Sequence, residues 1–114
     1  TVIVSPSEET KSFPHDAYAN DEDLAKGIFN FEEVVSYSVK RITSSWAGLR
    51  TFAPDRTLVI GFDSIVPSFF WLAGQGGYGF QTSAAASKMA SEIILGEKSS
   101  FGQLQKKVSP NRFK

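Results

Sequence analysis

The stretch "FFWLAGQGGYGFQTSAAASKMASEIILG", Phe69 to Gly96, decides how the rest of the chain is read. A short apolar run leads into Gly74-x-Gly76-x-x-Gly79, and an Ala-rich helical segment follows. Strand, glycine turn and helix in that order are how a dinucleotide-binding unit begins. That unit also requires a second parallel strand after the helix, with an acid about 20 residues further on to hold the ribose. Here Gly96 stops the helix, Glu97 follows it directly, and the remaining residues are polar, basic and few. The fingerprint therefore fails its context test. The chemistry of the turn survives: glycines let the backbone approach a flat group closely, and the unpaired N–H groups at the helix start favour negative charge. From these residues alone, a ligand contact and a tight strand-to-helix crossing are equally well supported.

Working outward, "TLVIGF", 57–62, and "FFWLA", 69–73, read as strands, the second apolar enough to be buried on both faces. "APDR", 53–56, and "DSIVPS", 63–68, read as turns. A helix is expected from about Gly79 to Leu95, with Ala84, Ala85, Ala86 and Ala90 giving it a thin face. Upstream, Asn20 or Asp21 can cap a helix whose Leu24, Ile28, Phe31 and Val35 form one apolar stripe. Asp21, Glu22 and Asp23 lie where the helix dipole favours acids, and Gly27 weakens the pattern. The β-branched run at 1–5 reads as a strand, residues 6–20 as a loop, and 36–52 as extended structure. The tail "SSFGQLQKKVSPNRFK" is expected to hold at most a short turn. The fold class is α+β, a fragment of a larger α/β protein, with mostly antiparallel strands and two helices, the C-terminal one following the Gly-rich turn.

Composition narrows the function classes. The 114 residues carry 12 basic and 12 acidic side chains, which argues against binding nucleic acid through its phosphates. The charge is uneven: residues 1–33 hold eight acids against Lys11 and Lys26. A solvated acidic face is the simpler reading of this, ahead of an interaction patch. With no cysteine, disulfides, thiol catalysis and zinc–thiolate sites are excluded. No apolar run reaches membrane-spanning length, and the expected location is cytoplasmic, with a membrane-peripheral position left open. The chain begins at Thr1 in what looks like the middle of a strand, so further polypeptide is expected upstream.

Individual side chains carry weaker signals. Arg50 sits in the small, apolar stretch "WAGLRTFA"; an ion pair with Asp55 or Asp63, or a solvated position, is the simpler account, and a carboxylate or phosphate ligand is the sharper one. His15, the single histidine, reads as a surface residue, and no triad or metal cluster can be assembled around it. Tyr78 can line a pocket or cover the glycines, and Trp46 and Trp71 read as core or lid aromatics.

Taken together, "SSWAGLRTFAPDRTLVIGFD" followed by "SFFWLAGQGGYGFQTSAAASKMASEIILG" resembles the C-terminal part of the FAD-dependent amine and D-amino-acid oxidoreductases, among them D-amino-acid oxidase, glycine oxidase and sarcosine oxidase. Within that group the nearest likeness is to D-arginine dehydrogenase-like enzymes. The resemblance covers nearly the whole chain, and its specific parts are W-A-G-L-R and G-Q-G-G-Y-G-x-Q-T. It implies residues 1–52 as the end of a substrate-binding domain and 53–114 as the C-terminal segment of the FAD-binding domain, with the N-terminal dinucleotide-binding part absent. It also implies FAD as cofactor, contacted by Gly76, Gly77, Tyr78, Gly79, Phe80 and Gln81. Arg50 is then implied to hold the substrate carboxylate, and the Gly77 carbonyl to accept from the substrate amino group. The implied reaction is hydride transfer to flavin from the amine of a D-amino acid or related secondary amine, by an oxidase or a dehydrogenase, without a strong base from this chain. The isolated chain is expected not to retain FAD, to be inactive alone, and to associate through exposed apolar surface with itself or with the missing N-terminal portion. The competing expectation is a non-catalytic module or small subunit that keeps the fold and binds a partner chain.

Overall fold

The computed structural model describes residues 2–5 and 10–114. Two compact units divide the chain, Thr1–Leu49 and Arg50–Lys114.

The first unit is built on helix α1, Asp21–Glu32. Its start is fixed locally. The Asn20 side-chain carbonyl accepts the Asp23 amide at 2.7 Å, satisfying one of the first-turn donors that a helix leaves unpaired. Asp21, Glu22 and Asp23 occupy that first turn. The expected stripe is present: Leu24, Ile28, Phe31 and Val35 are half-buried, and Gly27, on the same side, is the buried residue of the helix. Val35 lies past the helix end, where Phe31 meets Tyr37 edge to face with ring centroids 5.8 Å apart. The Glu32 carboxylate closes the following bend by accepting the Val39 amide at 2.6 Å.

Two expected extended segments differ. Residues 2–5 form no strand, and neither do residues 36–52; Thr1 lies outside the described residues. A strand exists only as half of a hydrogen-bonded ladder, and β-branched composition cannot supply the other half.

The second unit carries strands β1, Val59–Phe62, and β2, Phe70–Ala73, paired antiparallel with Val59 opposite Ala73 and Phe62 opposite Phe70. Helix α2, Gly79–Leu95, packs on β1. Ala86 and Ala90 are buried at this contact with Met89 and Ile60, so the thin face does bring helix and strand close. Ala84 and Ala85 are exposed. Gly96 ends α2 in the left-handed conformation, φ 67°, and its amide and that of Glu97 bond back to Ile93 and Glu92.

Strand β2 is not buried on both faces: Trp71 and Leu72 are exposed, and Phe70 and Ala73 are half-buried. The sheet has two strands, so each is an edge, and the helices pack on β1 rather than on β2.

The tail is more ordered than its polar composition suggests. It forms α3, Gln103–Val108, and a 3-10 turn, Pro110–Phe113, both packed on β1. Val108 joins the buried cluster, with Phe101 packed against it. Glu92, buried on α2, anchors the incoming loop by accepting the Ser100 amide at 2.9 Å and its hydroxyl at 2.7 Å. These donors hold its carboxyl below the usual carboxylate range.

Candidate functional site: the glycine turn and its neighbours

The turn from Gly74 to Gly79 leaves β2 and enters α2, and the segment Arg50–Ala53 runs beside it. The Gly76 amide donates to the Thr51 carbonyl at 2.9 Å, joining the two stretches across 25 residues of sequence. One glycine is required here by close approach, and a second lies close to a side chain that can move. Gly76 has φ 53°, and a Cβ built on it would stand 2.5 Å from Phe52 Cε1. A Cβ on Gly77 would stand 3.3 Å from Arg50 Nη1.

Arg50 is exposed and lies along Gly77. Of the two simpler accounts of this residue, the ion pair to Asp55 or Asp63 is not what the structure holds, because both acids are engaged elsewhere; the exposed, solvated position is. The Arg112 guanidinium forks onto Asp55, Nε to Oδ2 at 2.7 Å and Nη2 to Oδ1 at 2.9 Å. That pairing holds the Asp55 carboxyl at about 2, down from 3.8. Asp63 accepts from Trp71 Nε1 at 2.9 Å and from the Ile65 and Val66 amides, which together lower its pKa. Arg50 makes no hydrogen bond or ion pair with any described residue. Its fork is open to an outside anion.

The start of α2 is equally open. Tyr78 is the N-cap residue with φ −121° and ψ 13°, and no side chain caps the first turn. The amides of Gly79, Phe80 and Gln81 therefore keep the positive end of the helix unneutralised. Thr82 Oγ1 turns instead to the Tyr78 carbonyl at 2.8 Å. Phe80 is 98% exposed, so what it offers at the turn is its backbone. Tyr78 is committed to the fold: its amide bonds the Gln75 carbonyl, its hydroxyl donates to the Arg56 carbonyl, and its ring meets Phe52 edge to face.

Sequence reasoning placed Arg50 and Gly77 in one site, and they are neighbours. It missed Phe52, the ring that the glycines pack against, and Arg56, whose guanidinium covers that ring at 4.6 Å from its centroid. It also missed Arg112. Only the aromatic beside Arg50 in "LRTF" carries a trace of this. His15 stays at the surface, its Nδ1 2.7 Å from the Phe13 carbonyl. Among the described residues, no group of three or more His, Asp or Glu side chains could hold a metal ion, and no helix is long and apolar enough to cross a membrane.

The glycine motif is confirmed as something other than a dinucleotide fingerprint: its strand belongs to an antiparallel pair, and α2 is followed by α3 and a 3-10 turn. An uncapped helix start and an arginine without a partner among the described residues both favour groups that carry negative charge. Residues 1–93 match the model of the family described as FAD dependent oxidoreductase. The match spans most of the 114 residues, and the chain belongs to the FAD dependent oxidoreductase family.

Proposed function

We propose that this chain serves as the C-terminal portion of an FAD-dependent enzyme that oxidises the amine of a D-amino acid or a related secondary amine. The observation that carries the reading is the placement of Arg50, without a partner among the described residues, along Gly77 beside the uncapped start of α2. Bound FAD supplies the acceptor for the hydride that leaves the substrate α-carbon. Gly76, Gly77, Tyr78, Gly79, Phe80 and Gln81 are the residues that would hold its ring. The amides of Gly79, Phe80 and Gln81 carry positive partial charge and would favour the negative charge that the ring would gain on reduction, without rearrangement. Arg50 takes the substrate α-carboxylate in its planar fork, and the Gly77 carbonyl accepts from the amino group. Two fixed points orient the α-carbon, so the contribution of these residues is positioning rather than proton abstraction.

The adenine, ribose and pyrophosphate of FAD require a βαβ unit that the described elements do not include. The 114 residues by themselves are therefore proposed neither to retain FAD nor to turn over substrate. Within the family, a D-arginine dehydrogenase-like enzyme is the proposed kind, and residues 1–52 and 53–114 are the proposed shares of the substrate-binding and FAD-binding domains. The test is a flavin absorption spectrum and a panel of D-amino acids and secondary amines, applied to the enzyme that contains this chain and to the chain alone. Turnover by the intact enzyme and none by the chain is the expected result. Turnover by the chain alone, or an intact enzyme without flavin, overturns the reading.

A further inference from the structure

The glycine turn is braced by a second turn that is itself held from the far end of the unit. Arg56 adopts φ 59°, a left-handed conformation that costs energy for any residue with a Cβ. Its amide closes the turn onto the Ala53 carbonyl at 2.8 Å. The residues on either side of it, Asp55 and Thr57, are both gripped by Arg112. Nε and Nη2 bond the two Asp55 oxygens, and Nη2 also bonds the Thr57 carbonyl at 2.9 Å. Nη1 donates to the Val108 and Ser109 carbonyls, each at 2.9 Å, and Val108 belongs to the buried core. These five bonds match the five N–H groups of a guanidinium, so Arg112 is fully committed to this one arrangement. The turn so held bonds the glycine turn at one place, runs beside it at a second, and reaches it through Phe52 at a third. The Arg56 carbonyl accepts the Tyr78 hydroxyl. The Thr57 carbonyl lies 3.5 Å from the Cβ position of Gly74. The Arg56 guanidinium covers Phe52, the ring against which Gly76 is packed.

We propose that Arg112 is a positioning residue: it keeps the Ala53–Thr57 turn in its left-handed form, and that turn fixes Gly76 and Tyr78 and with them the open amides at the start of α2. The consequence for catalysis rests on the flavin reading of the glycine turn; the mechanical coupling does not.

Backbone amide exchange on the 114-residue chain tests the coupling without cofactor. The amides of Gly76, bonded to Thr51, and Tyr78, bonded to Gln75, are the reporters, and those of Met89 and Ala90 inside α2 are the controls. Arg112→Gln is expected to speed exchange at the reporters roughly tenfold or more, and at the controls by less than about twofold. Arg112→Lys keeps the charge but cannot fork, and is expected to behave like Arg112→Gln. Tyr78→Phe, which leaves the tail intact, is expected to free the Gly76 amide alike, and it reads the coupling even if the Arg112 variants do not fold. Equal acceleration at reporters and controls, no change at Gly76, or full rescue by lysine overturns the proposal. In the flavin-loaded enzyme containing this chain, Arg112→Gln is expected to shift the visible absorption of the bound flavin. An unshifted spectrum alongside faster Gly76 exchange refutes the flavin reading and leaves the coupling standing.

Discussion

Phe52 and Gly76 are packed so closely that no side chain fits between them: a Cβ on Gly76 would lie 2.5 Å from Cε1 and 2.9 Å from Cδ1 of the ring. The half-buried ring has Arg56 over one face and meets Tyr78 edge to face. Gly76→Ala combines this overlap with a left-handed φ of 53°, and is expected to destabilise the chain by about 2–4 kcal/mol. Denaturant unfolding measures this, and a loss under about 1 kcal/mol would show that the ring moves freely.

Arg50→Ala separates function from stability. Nothing among the described residues bonds the guanidinium, so removing it is expected to change stability by less than about 0.5 kcal/mol. In the flavin-loaded enzyme the same substitution is expected to raise KM roughly a hundredfold, as the substrate carboxylate loses a charge-assisted bidentate partner. Steady-state kinetics beside a thermal melt read both; an unchanged KM would remove Arg50 from the substrate site.

The Asp55–Arg112 pair gives the fold a defined acid limb. The carboxyl pKa falls from 3.8 to about 2 on folding, so the pair contributes its full stabilisation above pH 3.8. That contribution disappears as the pH drops through about 2, and the lowered Asp63 and Glu92 act in the same direction. Melting temperature is expected to decline between pH 4 and 2, and Asp55→Asn to flatten that decline while lowering the plateau above it. Parallel profiles for the two proteins would show that the pair is not what titrates.

Ile60, 1% exposed, is the centre of the packing between β1 and α2. Ile60→Ala opens a cavity in a core with few large side chains, at an expected cost of about 2–5 kcal/mol. Thermal or urea unfolding gives the value, and a cost under about 1 kcal/mol would mean that α2 closes onto the strand.

Exposed apolar surface bears on the proposed association. Trp71, Leu72, Phe80, Ile94 and Leu95 are all exposed in the second unit. The isolated chain is expected to elute in sizing chromatography as a concentration-dependent oligomer, with Phe80→Ser shifting it toward the monomer. A monodisperse monomer at all concentrations would count against the idea that this surface needs a cover.

Short-range signals were enough to settle much of this protein from its sequence. Asn20 caps α1 because its side chain reaches an amide three residues on, and Gly96 ends α2 because a residue without Cβ accepts a left-handed turn at little cost. The strand-turn-helix from Phe70 to Leu95 and the failure of its fingerprint were likewise legible, since both depend on neighbours along the chain. What waited for the tertiary structure was every relationship that spans the chain. Residues 2–5 lack a strand partner, and β2 is left exposed because α2 packs on β1 instead. The tail folds because Val108 finds the core, and Asp55 belongs to Arg112 rather than to Arg50. Caps and turn dihedrals act over a few residues, whereas pairing and packing depend on which distant segments meet. For Arg112 and Asp55 that meeting spans 57 residues, and no local preference encodes it.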